Sequence, residues 1–174
     1  MAVTLVGCAS EPTTSENGEL LGEGTQSAGV VGSDEARIGQ EWTIALPVLQ
    51  NVSDSEIKVT GARVDHVPEG LRVLGYTAYN RYDTEGVALL SYKGAPGMPD
   101  FGKFKDYAGS PIPVRANSEA DIYYMVKVKV TGRVEGNIEG ATFSYRSDGR
   151  LYEQSLPFEA ALKLTENREL PAAR

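Results

Sequence analysis

Between Asp121 and Thr131 the side chains repeat with period two. Ile122, Tyr124, Val126, Val128 and Val130 share one parity, with Lys127 and Lys129 on the other. Successive side chains of an extended strand point to opposite faces, so this pattern predicts a strand with one face on a core; helical spacing fits it poorly. The same period returns along the chain with no long amphipathic helix pattern beside it. Trp42, Ile44, Leu46 and Val48 alternate, and Pro47, which cannot donate to a ladder, predicts an edge position for that strand. Ile57 and Val59 alternate before Ala62 and Val64 change parity, as a β-bulge near Gly61 would require.

Pro68-Glu69-Gly70 reads as a turn before a strand over Leu71 to Tyr79, and Val87 to Tyr92 reads as a further short strand. Gly132 and Gly136 mark a loop before Ala141, Phe143 and Tyr145. Asp148-Gly149 suits a tight hairpin turn with φ > 0. Strand resumes from Leu151, with Phe158 to Leu164 compatible with strand or a short helix. About seven or eight short strands separated by turns predict an all-β domain, an antiparallel β-sandwich over residues 37–166. Ala120-Asp121-Ile122-Tyr123-Tyr124 resembles the start of strand F in variable immunoglobulin domains. That likeness implies an immunoglobulin-like sandwich, with Met125 standing where that family has a cysteine.

Residues 9–36 are rich in Ser, Thr, Gly and Glu and contain no basic residue. A segment of this kind buries too little apolar surface to offset its ordering entropy, so a disordered acidic tether is expected. A flexible chain of about 28 residues has an end-to-end distance near 30 Å. Residues 167–174 are expected to form a flexible tail. Ahead of the tether, Leu5-Val6-Gly7-Cys8 resembles the lipobox of bacterial lipoproteins, in an actinobacterial style. The resemblance implies that residues 1–8 are the end of a signal and that Cys8 carries a lipid holding the protein at the outer side of a cell membrane. Met1 to Gly7 contains neither Lys nor Arg, so the basic and long apolar parts of such a signal are expected upstream. No run of about 18 apolar residues occurs, which makes the membrane link covalent.

The net charge of -7 and pI near 4.8 oppose a nucleic-acid phosphate backbone, where binding is driven by Lys and Arg. One cysteine makes no internal disulfide. His66 is the sole histidine and reads as a strand-end residue rather than a catalyst, and no Gly-x-Ser-x-Gly motif accompanies it. Neither a metal site nor a cofactor is expected: Asp100 and Asp106 lack the alternate-ligand spacing of calcium loops. A connection of about 20 residues from Tyr92 to Pro113 is long for a compact domain and such connections are often functional. It interleaves Phe101, Phe104 and Tyr107 with Lys103 and Lys105. These five residues either contact a protein or glycan partner or, in the case of the aromatic groups, cap an open end of the sandwich. Tyr76, Tyr79 and Tyr82 offer a sugar-stacking reading beside ordinary strand packing. The sequence thus points to a non-enzymatic, lipid-anchored binding domain. A hydrolase with paired carboxylates and an accessory subunit of an envelope assembly are the alternatives.

Overall fold

The computed structural model describes residues 15–23 and 30–165, which are almost entirely extended. In chain order the strands are β1 (Glu16–Asn17), β2 (Leu21–Glu23), β3 (Val31–Ala36), β4 (Glu41–Ala45), β5 (Leu49–Asn51), β6 (Ile57–His66), β7 (Leu71–Asn80), β8 (Leu90–Tyr92), β9 (Ile112–Val114), β10 (Ser118–Glu119), β11 (Ile122–Val130), β12 (Ile138–Ser147) and β13 (Arg150–Leu164). One sheet runs β1-β13-β12-β6-β9, with β3 also on β13; a second runs β7-β11-β4-β8; a small third runs β10-β5-β2. The first two pack as an immunoglobulin-like antiparallel sandwich.

The alternation in β11 explains the packing. Val126, Val128 and Val130 are fully buried. They share one core with Ile57 and Val59 of β6 and Phe143 and Tyr145 of β12. Tyr124 meets Phe143 edge to face at 6.2 Å. Asp148 and Gly149 take φ of 48° and 79°, the left-handed pair that a two-residue hairpin needs, and Ser147 pairs with Arg150 across it. In β6, Gly61 pairs with Ser144 and Val59 with Tyr145, so Thr60 is the extra residue of the expected bulge.

Several expectations change. The strand at β4 lies inside its sheet between β11 and β8, not at an edge. Pro47 instead falls after β4, in the crossing to β5 in another sheet, where the missing N–H breaks no ladder. The strand expected over Val87 to Tyr92 shortens to Leu90–Tyr92, and the expected loop yields β9, whose Pro113 sits on a true edge. Phe158 to Leu164 continues β13, with Pro157 beside the register shift between Glu139 and Ala141. The immunoglobulin-type motif also lands differently. Tyr124 points between the sheets, while Tyr123 and Met125 point outward, so Met125 does not occupy the inter-sheet cysteine place.

The largest correction concerns the acidic tether. Within 9–36, residues 16–17 and 31–36 are strands of the sandwich, residues 21–23 belong to the small third sheet, and Leu21 and Ala36 are buried. β1 and β3 both run parallel to β13, and β2 pairs with β5. The Tyr145 hydroxyl accepts from Leu20 N–H at 3.1 Å and donates to Gln154 Oε1 at 3.3 Å. Gln154 accepts from Leu21 N–H at 2.9 Å and donates to its carbonyl at 2.6 Å. Gly18 passes so close that a Cβ there would lie 2.1 Å from the Tyr145 hydroxyl. Backbone pairing and two partner side chains thus hold a segment whose own side chains carry little apolar surface. Residues 1–14 and 166–174, which include Cys8 and the expected tail, lie outside the described residues.

Tyr145→Phe removes the acceptor for Leu20 N–H and should cost about 1–2 kcal/mol in urea unfolding, with faster amide exchange at Leu20 and Leu21. The Tyr124 hydroxyl has no hydrogen-bond partner among the described residues, and burial, aided by Asp106, pushes it up to about 12 from 10.0. The unfolded chain releases that proton near pH 10 and the folded chain near 12. Between these values the unfolded state holds fewer protons, so stability is whole below pH 10 and falls as pH climbs toward 12. Tyr124→Phe should flatten that alkaline loss and raise stability at neutral pH by about 1 kcal/mol.

Candidate functional site

The outward face of β11 begins with side chains that water does not favour. Tyr123 and Met125 are buried there with Ala45, Val48 and Tyr79, in a second cluster on the opposite side of the sheet from the main core. Two loops cover it. Val87 and Ala88 pack on one part, and the Tyr123 hydroxyl reaches that loop, donating to Thr84 Oγ1 at 3.1 Å and accepting from Ala88 N–H at 3.4 Å. Phe101 and Phe104 pack on the rest, Phe101 lying 5.0 Å from Tyr79 and 6.5 Å from Phe104 between ring centres. Burial raises the Tyr79 hydroxyl above its usual value, with lesser contributions from its neighbours.

Local chemistry shapes the long connection. The Asp100 carboxylate caps a 3-10 turn at Phe101–Lys103 by accepting from Gly102 N–H at 3.2 Å. Asp106 accepts from Ala78 N–H and Ala108 N–H, both at 2.9 Å, and Tyr107 N–H donates to the Ala78 carbonyl at 2.9 Å. The connection is therefore fastened to the outer side of β7, an edge strand.

What the loops leave uncovered is a cleft of about 460 Å³ on the outer face of the four-stranded sheet. Leu74, Tyr92, Met98, Pro99 and Phe101 supply apolar walls, and Thr43 and Ser91 place hydroxyls in the lining. Glu41, Lys93, Asp100 and Lys127 add charge. Leu74 enters through a bulge: Val73 pairs with Val128 and Gly75 with Lys127, which leaves Leu74 without a ladder partner on β11. Val73 and Tyr76 pack on the main core, whereas Leu74 lines the cleft and stays 43% exposed. Alternation after Val73 already puts Leu74 on this face, and the extra residue of the bulge returns Tyr76 to the core side.

Of the five residues expected in the binding loop, Phe101 lines the cleft and also covers the second cluster. Phe104 lies within the cover, and Tyr107 packs against the main core under Lys105, whose ammonium lies 4.5 Å from its ring centre. Lys103 is exposed and pairs with Asp100 at 3.6 Å. Phe101 and Phe104 therefore cover a sheet face, whereas Tyr107 packs against the main core. Tyr76, Tyr79 and Tyr82 share no platform: Tyr76 points inward and accepts from Val64 N–H at 3.0 Å, Tyr79 lies under Phe101, and Tyr82 is exposed beside Arg81. His66 ends β6, exposed and opposite Glu139. Glu119 and Asp121 both bond the Arg81 guanidinium.

Leu74 and Met98 are cleft residues that alternation did not single out, whereas it did place Lys127 on the face away from the core. One signal pointed to a cover on that face: Tyr123 and Met125 break the polar parity of β11. No protein-family model matches the chain, and no curated protein matches it.

Asp106→Ala should detach the connection from β7 at a cost of about 1 kcal/mol. Hydrogen exchange at Ala78 and Ala108 should speed up, while Asp106→Asn, which keeps an acceptor, should restore much of the protection.

Proposed function

We propose that this chain is a non-enzymatic, cell-envelope binding domain, lipid-anchored through Cys8, that captures a protein segment in the cleft beneath the 93–111 connection. The observation that carries the reading is a cleft of about 460 Å³ with largely apolar walls and a few hydroxyl and charged groups. Ligand sites commonly have this size and this mixture, a greasy lining with sparse polar groups that orient the occupant. Leu74, Met98 and Pro99 favour an apolar side chain of a protein over a glycan, whose hydroxyls would find few partners on them. Fastening by Asp100 and Asp106 holds the cleft walls before a partner arrives, which reduces the ordering cost of binding.

Leu74→Ser should leave thermal stability nearly unchanged, within about 0.5 kcal/mol, because the side chain is already half exposed. It should abolish in-cell photo-cross-linking from a probe at position 98 to one dominant protein. A probe at Val52, exposed on another surface, serves as the control. Identical products from both positions, or a position-98 product that survives Leu74→Ser, would sink the cleft as a partner site. The anchor has its own measurement: the mature protein should sediment with membranes and carry an acyl mass on Cys8, and Cys8→Ser should free it.

A further inference from the structure

Among the described residues, one charge in the cleft has no partner. Glu41 meets Lys93 at 3.6 Å and Asp100 meets Lys103 at 3.6 Å. Lys127, half-buried on the central strand of the same lining, makes neither ion pair nor hydrogen bond among the described residues. Its cross-strand neighbours are Thr43 on β4 and Gly75 on β7, and beyond Gly75's own chain neighbours no heavy atom lies within 4 Å of where a Cβ would stand there. The space on the β7 side of the lysine is therefore open. Lys127 stands among apolar walls without a counter-charge, and a carboxylate would supply one. The chain carries a net charge of -7, so an unpaired cation in its cleft runs against its overall composition.

We propose that the cleft recognises an apolar protein segment bearing a carboxylate next to the inserted side chain, with Lys127 as its counter-ion. This rests on the binding reading above and specifies its chemistry. The apolar side chain lies against Leu74, Met98 and Phe101, and the carboxylate fills the gap over Gly75. A peptide suits the cleft better than a plain acyl chain. Thr43 and Ser91 place hydroxyls in the lining, and Lys127 adds a charge, so an occupant with its own polar groups matches groups that a hydrocarbon leaves unmatched.

The test uses three probes on the folded protein with carbon-13 methyl labels on methionine: acetyl-Ala-Leu-Phe with a free carboxylate, the same peptide as its C-terminal amide, and decanoate. Met98 lines the cleft, and Met125, buried in the second cluster, is the internal control. The acid peptide should shift the Met98 methyl at concentrations roughly tenfold or more below those the amide needs. Lys127→Met, which keeps the stem, should erase that advantage, and Lys127→Arg should retain it. Equal binding of acid and amide would overturn the carboxylate while leaving the cleft as a protein site. An acid advantage that survives Lys127→Met would overturn the role of the lysine. Tighter binding of decanoate than of either peptide would assign the cleft to a free aliphatic acid. Silence from all three probes would overturn the inference, whereas the cross-linking from position 98 decides the binding reading independently.

Discussion

Taking Tyr123 and Met125 out of water on the outer face of β11 is worth about 1.5–3 kcal/mol for each large apolar side chain, provided something lies over them. A two-sheet sandwich supplies nothing on that side. The 84–88 turn and the 93–111 connection are the cover, and their residues follow from it: Phe101 and Phe104 reach down to Tyr79, Asp106 ties the return of the chain to Ala78, and the Tyr123 hydroxyl fixes the other loop. The cover does not reach the far end of the sheet, where Lys127 and Lys129 replace the apolar pair. The cleft lies where the cover stops. Folding and the proposed binding thus depend on the same loop, and they separate by residue: Phe104 serves the cluster, Met98 and Leu74 the cleft, and Phe101 both.

A second dependence runs through the last strand. β13 pairs with β12 on one side and with β1 and β3 on the other, so it joins the N-terminal segment to the sandwich. Tyr145 and Gln154 extend this connection through side-chain hydrogen bonds to Leu20 and Leu21. Buried Asn51 acts similarly at the small sheet. Its amide donates to the carbonyls of Ser55, Val114 and Arg115 at 2.8 to 3.1 Å, tying β5 to the end of β9.

The legible parts of the fold were those where one side chain's face is set by its neighbours two residues away. The β11 alternation, the Asp148-Gly149 hairpin and the bulge at Thr60 all read correctly because each is a local rule of strand or turn geometry. The misread parts share the opposite property. Glu16, Asn17 and residues 31–36 become strands because β13 offers them a free backbone edge, and backbone pairing leaves no mark in Ser, Gly and Glu. Pro47 read as an edge signal because the sequence shows a missing donor but not which sheet the chain is leaving.

For the candidate site the division is similar. Composition and punctuation singled out the long Gly- and Pro-rich connection with its aromatic residues, since such a length is unusual in a compact domain. They could not show that Phe104 and Tyr107 would be packed away while Leu74, some twenty residues earlier, would join Phe101 and Met98 in one lining. By itself the sequence determined an all-β sandwich, its clearest strand and the presence of a long Gly- and Pro-rich connection. Only the tertiary structure decided which face the loop covers, where the cover ends and which lysine is left without a partner. Those outcomes depend on what lies across the sheet, at distances along the chain that periodicity does not reach.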